Sequence, residues 1–257
     1  MVLLGITGAI GHGKTTFASY LAQQNPQAYQ TESSHVIAEV ADRLNKFFVW
    51  ESPRQQDIVS VNRWLAHLPA IASAVTHARI AVDDVTITEQ DIVNHPRDYE
   101  KLWDYLATAH KNPEITSEYI TSYNKQAYRP LLQWLGGYLV KHVDEGIWYN
   151  ELVRRGSQAE TYGCQLFIIG GVRFPGDAKI VRDAKGIIIS IERPGVAVTD
   201  AKDPTERERR LIQPDATIVN NGSLEQLLEV SVRLYQDILA GNLQKQYFAA
   251  ATPTATR

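Results

Sequence analysis

Gly8-Ala9-Ile10-Gly11-His12-Gly13-Lys14-Thr15 is the stretch that decides the fold of this chain. Two glycines spaced by four residues and followed by Lys and Thr form the pattern of a phosphate-binding loop, which has to lie between a strand and a helix. The flanks supply that context. Val2 to Ile6 is a continuous apolar run, suited to a strand of a parallel sheet covered on both faces, and Lys14 to Gln24 places Phe17, Tyr20 and Leu21 at helical spacing before Asn25-Pro26 ends it. Glycines let the main chain curl until successive N–H groups face phosphate oxygens, and the helix N-terminus adds the positive end of its dipole. In such a loop the lysine bridges the β- and γ-phosphates and the hydroxyl after it ligates Mg²⁺. Gly8, Gly11, His12, Gly13, Lys14, Thr15 and Thr16 are therefore the candidate nucleotide-binding residues, with Lys14 catalytic, Thr15 the metal ligand, and ATP and Mg²⁺ the expected cofactors. The His12 side chain is expected to point to solvent, without a catalytic role.

Outward from the loop, a second strand is expected near Ala28 to Gln30, followed by a turn at Thr31-Glu32-Ser33-Ser34 that caps a helix near His35. From about Phe47 to His142 the chain turns helical and rich in Trp and Tyr, cut into short pieces by Pro53, Pro69, Pro96, Pro113 and Pro130. Within it, Ile80-Ala81-Val82 ahead of Asp83-Asp84 reads either as a strand ending in acids or as a turn before a helix capped by Thr88. Strand character returns at Gln165 to Ile169 and Gly186 to Ile191 with a helix at Asp177 to Asp183 between them, then at Ala216 to Val219. Ser223 and Gln226 fit a capping box for a last helix reaching about Ala240. The expected layout is a core over 1–46 and 143–240, a helical insertion over 47–142, and a C-terminal tail over 241–257, read as disordered from its Ala/Thr-rich, aperiodic end.

Composition narrows the class. A chain of 257 residues can bury a core without staples, and Cys164, its single cysteine, can form no internal disulfide and is expected to be a small buried residue. No apolar run approaches the roughly 20 residues that cross a bilayer, and a net charge of -3 gives no global attraction to nucleic acid. A cytoplasmic location is expected, with no membrane and no nucleic acid among the partners. The phosphate-binding loop alone does not separate kinases, ATPases and GTPases. An Asn-Lys-x-Asp guanine-reading motif is missing, while a helical insertion and an arginine-rich late segment suit a nucleotide kinase, whose lid arginines neutralise the phosphoryl in flight.

Later segments carry a resemblance. Arg129-Pro130-Leu131-Leu132-Gln133-Trp134-Leu135-Gly136 with Asp144 and Ile147-Trp148, then Val172-Arg173-Phe174-Pro175, Arg193-Pro194, Glu206 and Val219-Asn220-Asn221-Gly222-Ser223-Leu224, resemble the bacteriophage-type deoxynucleoside monophosphate kinases. The N-terminal loop and the Asn-x-Gly-Ser-Leu ending also resemble dephospho-coenzyme A kinase. The resemblance implies an α/β P-loop fold of the nucleoside monophosphate kinase type, a parallel sheet with helices on both faces. It further implies that Arg129 and Gln133 face the acceptor nucleotide, that Arg173 touches phosphate, and that Arg193 and Asn220 lie near the adenine of ATP. Plainer accounts compete: Arg129 as a surface residue before a helix, Gln133 as a helix face, and Arg207, Arg209 and Arg210 as a solvated face rather than a lid.

The sequence also departs from the family. Gly170-Gly171 stands where the family has Asp before Val-Arg-Phe, and Asp177 replaces the glutamate that usually follows. A kinase needs an acid to hold Mg²⁺ through water or to take the acceptor proton. Glu32, at the end of the second strand, and Asp83 or Asp84 are the candidate replacements, and Glu32 joins Lys14 and Arg173 as a catalytic candidate. The resulting expectation is transfer of the γ-phosphoryl of ATP to a nucleoside monophosphate bound by the insertion. The rivals are a dephospho-coenzyme A kinase and a nucleotide-binding regulatory protein without transfer. The partners expected are the small-molecule acceptor and at most a second copy of the chain, as a homodimer.

Overall fold

The computed structural model describes residues 1–48, 57–121, 123–196 and 204–249. In chain order it opens with β1 (Val2–Thr7), α1 (Lys14–Gln23), β2 (Ala28–Glu32), α2 (Ser33–Asn45), α3 (Ile58–Leu65), α4 (Leu68–Thr76), α5 (Glu89–Asn94), α6 (Pro96–Lys111) and α7 (Lys125–His142). It continues with α8 (Ile147–Thr161), β3 (Leu166–Gly170), α9 (Pro175–Asp183), β4 (Ile187–Glu192), α10 (Pro204–Arg209), β5 (Ala216–Val219), α11 (Leu224–Leu239) and β6 (Gln246–Phe248). Two compact units emerge, Met1–Ser33 with Leu152–Arg257, and Ser34–Glu151. The second takes in most of α2 and the start of α8, and is wider than the 47–142 read from composition.

The first unit is built on a six-stranded sheet of order β2-β3-β1-β4-β5-β6, parallel at every pairing. The chain runs from β1 to the far edge at β2, returns through β3, and only then crosses β1 to β4. The order therefore switches direction at β1, and ligands bind beyond the carboxyl ends of strands at such a point. Continuous apolar runs make these strands because both faces are covered. On one face Phe17 and Leu21 of α1 and Leu227, Val230 and Leu234 of α11 pack with Leu4, Ile6, Ile189, Ile191 and Ile218. On the other, Val181 of α9 lies close enough to Gly5 that an added Cβ would touch it at 3.4 Å. Truncating a wholly buried side chain such as Phe17 to Ala costs about 3–5 kcal/mol. The α/β P-loop architecture with a parallel sheet is the one the sequence implied.

The second unit is helical and held by aromatic packing. Trp64, Tyr105 and Tyr128 form a chain of ring contacts at 6.5 and 6.4 Å, and their polar tips are paired: Trp64 Nε1 donates to Leu44 O, Tyr105 OH to Asn45 Oδ1, and Tyr128 OH to Ile115 O. Burial pushes the Tyr128 hydroxyl up to about 12, with Glu118 and Asp42 adding to the effect. Gly136 lets α7 approach α2 closely, since a Cβ there would meet Ile37 Cδ1 at 3.1 Å.

Several local expectations are corrected. Ile80-Ala81-Val82 is not a strand. Asp84 accepts a hydrogen bond from Ala81 N–H at 2.7 Å, and the chain turns at once into a 3-10 segment, Asp83–Val85. Side chains bonding their own backbone outcompete a strand in so short a run. The turn that precedes a helix capped by Thr88 is what forms, with a capping box to Asp91. β2 runs on to Glu32 and α2 starts at Ser33, so Thr31 to Ser34 is no turn. The tail is not wholly irregular: Gln246–Phe248 adds β6 to β5. Tyr247 drives this, 1 % exposed with its hydroxyl donating to Asp237 Oδ2 at 2.9 Å, and three residues are too few for alternation to show in sequence. Cys164 is half-buried in the turn before β3, its thiol against Leu166 O. Pro53 and the tail from 250 to 257 lie outside the described residues.

Candidate active site

The loop from Gly8 to Thr15 joins β1 to α1 at the switch point. Its three glycines, Gly8, Gly11 and Gly13, all have positive φ, and at two of them a Cβ would also collide with a neighbour. Gly8 has φ 143° and would place a Cβ 2.4 Å from the Ile191 carbonyl oxygen, a backbone clash that no rotamer relieves. Gly13, at φ 96°, is the left-handed residue from which α1 starts, and a Cβ there would lie 2.8 Å from Asn220 Nδ2. That amide donates to His12 O at 3.0 Å, while Asn220 N donates to Glu192 O at 2.7 Å, so the ends of β4 and β5 hold the loop from one side. Among the described residues no side chain caps α1, and its first turn holds no acid. Its leading N–H groups thus keep the free donor capacity that an anion uses.

Lys14 folds back to donate to Ala9 O at 2.7 Å. Burial, with Arg173 and Arg209 pushing the same way and Glu206 and Glu32 opposing, brings its ammonium down to about 8. The cluster unites Lys14, Arg173 and Glu32 with Glu206, one of the residues that carry the family resemblance, and Arg209, one of the three arginines read as either a lid or a solvated face. Glu206 is 7 % exposed, and Arg209 bonds its Oε2 through Nε and Nη2, each at 2.9 Å. Of the three late arginines it is Arg209 whose charge reaches Lys14, while Arg207 and Arg210 are exposed. Of the two readings left open for the late arginines, a solvated face fits Arg207 and Arg210, while Arg209 is drawn inward by its ion pair with Glu206.

Glu32 ends β2 in register with Gly170. Its Oε2 lies 3.9 Å from where a Cβ of Gly171 would stand. The carboxylate of Glu32 thus borders the position at which the resembling kinases carry Asp, and the absence of a side chain at 171 leaves it that space. Arg173 is exposed, and Asp177 accepts from the N–H groups of Arg173 and Phe174 at 3.5 and 3.2 Å, which makes it the cap of α9. Thr15 and Thr16 are exposed at the start of α1.

His12 is corrected. It does not point to solvent but is 8 % exposed, its Nδ1 3.3 Å from Ile191 O and 3.2 Å from Arg193 N. Desolvation lowers its pKa, with Arg209 and Lys14 acting in the same direction and Ile191 O and Glu192 against. Arg193 and Asn220, implied near the adenine, are brought to the loop through backbone and amide contacts with His12, and the Arg193 side chain is exposed.

Arg129 and Gln133 belong to the second unit. Arg129 does not precede a helix but lies inside α7, one turn from its start, and shares an exposed face with Gln133 at i+4, whereas Trp134 is core at 3 % exposure. At i−4 on that face, Lys125 donates to Ser34 Oγ at 2.9 Å. Asp83 and Asp84 are in this unit too, Asp84 bonding the turn through Ala81 N–H and Asp83 exposed.

A phosphate-binding loop at the switch point of a parallel sheet, with its lysine among arginines and carboxylates, defines a P-loop phosphotransferase. Comparison with known proteins makes this specific. The family model of deoxynucleotide monophosphate kinase matches residues 68–230. A protein of Acanthamoeba polyphaga mimivirus named "Putative deoxynucleotide monophosphate kinase" is 33% identical over 236 residues, which cover 88% of this chain and 92% of that protein. The chain belongs to the deoxynucleotide monophosphate kinase family, the first of the two that its sequence resembles. It is a kinase with a nucleotide substrate, and none of its described helices is long and apolar enough to cross a membrane.

Proposed function

We propose that this kinase transfers the γ-phosphoryl of ATP to a deoxynucleoside monophosphate, with Lys14, Arg173 and Glu32 as its catalytic residues. The observation that carries the reading is the Lys14 cluster, in which the loop lysine stands within electrostatic reach of Arg173, Arg209, Glu206 and Glu32. An oxygen of the acceptor phosphate attacks the γ-phosphorus in line, the bond to the β,γ-bridging oxygen breaks, and ADP leaves. The loop N–H groups hold the donor phosphates, and Lys14 leaves Ala9 O for the β- and γ-oxygens. Arg173 and Arg209 face the charge that spreads over the γ-phosphoryl, where preorganised donors act most strongly.

Mg²⁺ is implied by the family. Among the described residues no group of three or more His, Cys, Asp or Glu could cage a metal. That fits, because Mg²⁺ in kinases is held mostly by water and substrate phosphates with one or two protein oxygens. The Thr15 hydroxyl would be one such oxygen, and Glu32 would hold the ion's water or take the acceptor proton. When bound, the ion neutralises charge across the β- and γ-oxygens. Arg129 and Gln133 grip the acceptor, a role supported by their shared exposed face on α7 and the family resemblance. Arg193 and Asn220 sit on the adenine side of the donor.

The test is ADP release in a coupled assay with a panel of deoxynucleoside monophosphates, ribonucleotides and dephospho-coenzyme A. Turnover confined to one or more deoxynucleotides supports the reading. ATP binding by calorimetry with no transfer to any acceptor would replace it with a nucleotide-binding protein that lost its chemistry at Gly171.

A further inference from the structure

His12 combines three features that a phosphate cradle does not demand. The side chain is buried although it belongs to an anion-binding loop, its Nε2 has no hydrogen-bond partner among the described residues, and its Nδ1 faces both an acceptor and a donor at the end of β4. One ring nitrogen cannot serve both neighbours. Unprotonated, Nδ1 accepts the Arg193 N–H; protonated, it donates to Ile191 O and turns its hydrogen against the Arg193 N–H. On the same stretch, Asn220 holds His12 O, and Gly8 is pressed on Ile191 O. The ring is thus the side-chain link between the loop and the turn that begins at Arg193.

We propose that His12 is a positioning residue for ATP: its unprotonated Nδ1 accepts the Arg193 N–H and couples the phosphate-binding loop to the Arg193 turn, so that both present their donor groups to one nucleotide. The inference rests on the reading of this loop as the ATP site. The charged groups acting on the ring are Lys14 of α1, Arg209 of α10 and Glu192 of β4, two cations against one carboxylate. Protonation adds a third cation there and removes the acceptor, which parts the loop from the turn. Burial and the two cations keep the ring neutral at ordinary pH, so the coupling is lost only in acid.

The experiment measures ATP affinity of the full chain by calorimetry between about pH 5.5 and 8.5, for wild type, H12N and H12A. Asn places an amide oxygen near the position of Nδ1, accepts the same N–H, and does not titrate. H12A is expected to bind ATP about tenfold more weakly at pH 8, H12N to recover most of that loss, and wild type alone to lose a further several-fold in acid. The γ-phosphate of ATP titrates in all three proteins, so the difference between wild type and H12N isolates the ring. An equal acid loss in H12N, or unchanged affinity in H12A, overturns the coupling and leaves the kinase reading intact. Absence of ATP binding by wild type at every pH sinks that reading and the coupling with it. Imidazole ¹⁵N shifts of wild type need neither a variant nor ATP: an unprotonated Nδ1 with Nε2–H near pH 7.5 is expected, and Nδ1–H overturns the proposal even if the variants fail to fold.

Discussion

The donor unit and the helical unit use the same chain in opposite ways. Around Gly8–Thr15 the ligand is to be met by backbone: three positive-φ glycines, one of them pressed on a carbonyl, a helix start without a side-chain cap among the described residues, and an amide from Asn220 that fixes the loop. In Ser34–Glu151 no positive-φ glycine serves the candidate residues, and Arg129 and Gln133 are exposed side chains on α7, which runs on through Pro130. Phosphates are common to every donor and reward a fixed cradle, whereas an acceptor base must be told from other bases and needs replaceable side chains. Substitutions should therefore divide by unit: in the first they strike kcat and ATP, in the second the acceptor alone.

The sharpest break in this comparison concerns Glu32. Glu32→Gln keeps the shape beside Gly171 and removes the charge, and should lower kcat by about 10²- to 10⁴-fold with ATP affinity nearly unchanged. Asp83→Asn and Asp84→Asn, on the turn of the second unit, should stay within a few-fold of wild type. Single-turnover rates with saturating ATP check both halves; full activity in Glu32→Gln, or a loss in either aspartate variant, moves the carboxylate to the other unit. Next in size is Lys14→Ala, expected to cost about 10²- to 10³-fold in turnover, as for loss of one preorganised charge donor. The fold should survive, because among the described residues Lys14 bonds only a loop carbonyl, and circular dichroism reads that. Activity within a few-fold of wild type would remove Lys14 from the mechanism. Arg129→Ala sharpens the other side: a roughly tenfold rise in acceptor KM with the ATP KM constant. Equal effects on both substrates would make Arg129 structural.

The division also explains what could be read from sequence. The place of the loop between β1 and α1 was legible, since glycine spacing is itself the geometry, and the apolar runs of β1, β3, β4 and β5 announced a parallel sheet. The capping box at Ser223 and, as one of two readings, the helix cap at Thr88 were legible for the same reason, being short and local. What stayed hidden depends on distant partners. Glu206 looks like any acid in a charged run until Arg209 and Lys14 surround it. His12 looks solvent-bound until β4 closes over it, and Tyr247 looks like part of an aperiodic tail until β5 offers an open edge. The resemblance named Arg129 and Gln133, but nothing in α7 itself separates them from an ordinary solvated face.

The smallest effect expected tests whether the donor unit is preorganised for anions. With its ammonium brought to about 8, Lys14 is a cation held in a place that disfavours its charge. Below about pH 8 the lysine is protonated both folded and unfolded, so the folded protein bears the full cost. Between about 8 and the ordinary lysine value of 10.5 the unfolded chain binds more protons, and stability rises with pH; above 10.5 the cost is gone. Lys14→Met should therefore melt higher than wild type at pH 7, by an amount that shrinks toward pH 10. Phosphates delivered to the loop reverse the imbalance, because an anion beside the ammonium raises its pKa again. ATP binding near pH 8 should then take up as much as about half a proton, seen as a dependence of the calorimetric heat on the ionisation enthalpy of the buffer. Lys14→Ala, if it still binds, should show no such uptake. A wild-type heat that is independent of buffer at pH 8 would mean that the lysine already has its anionic partner in the free protein, and the cradle would not be waiting for phosphate.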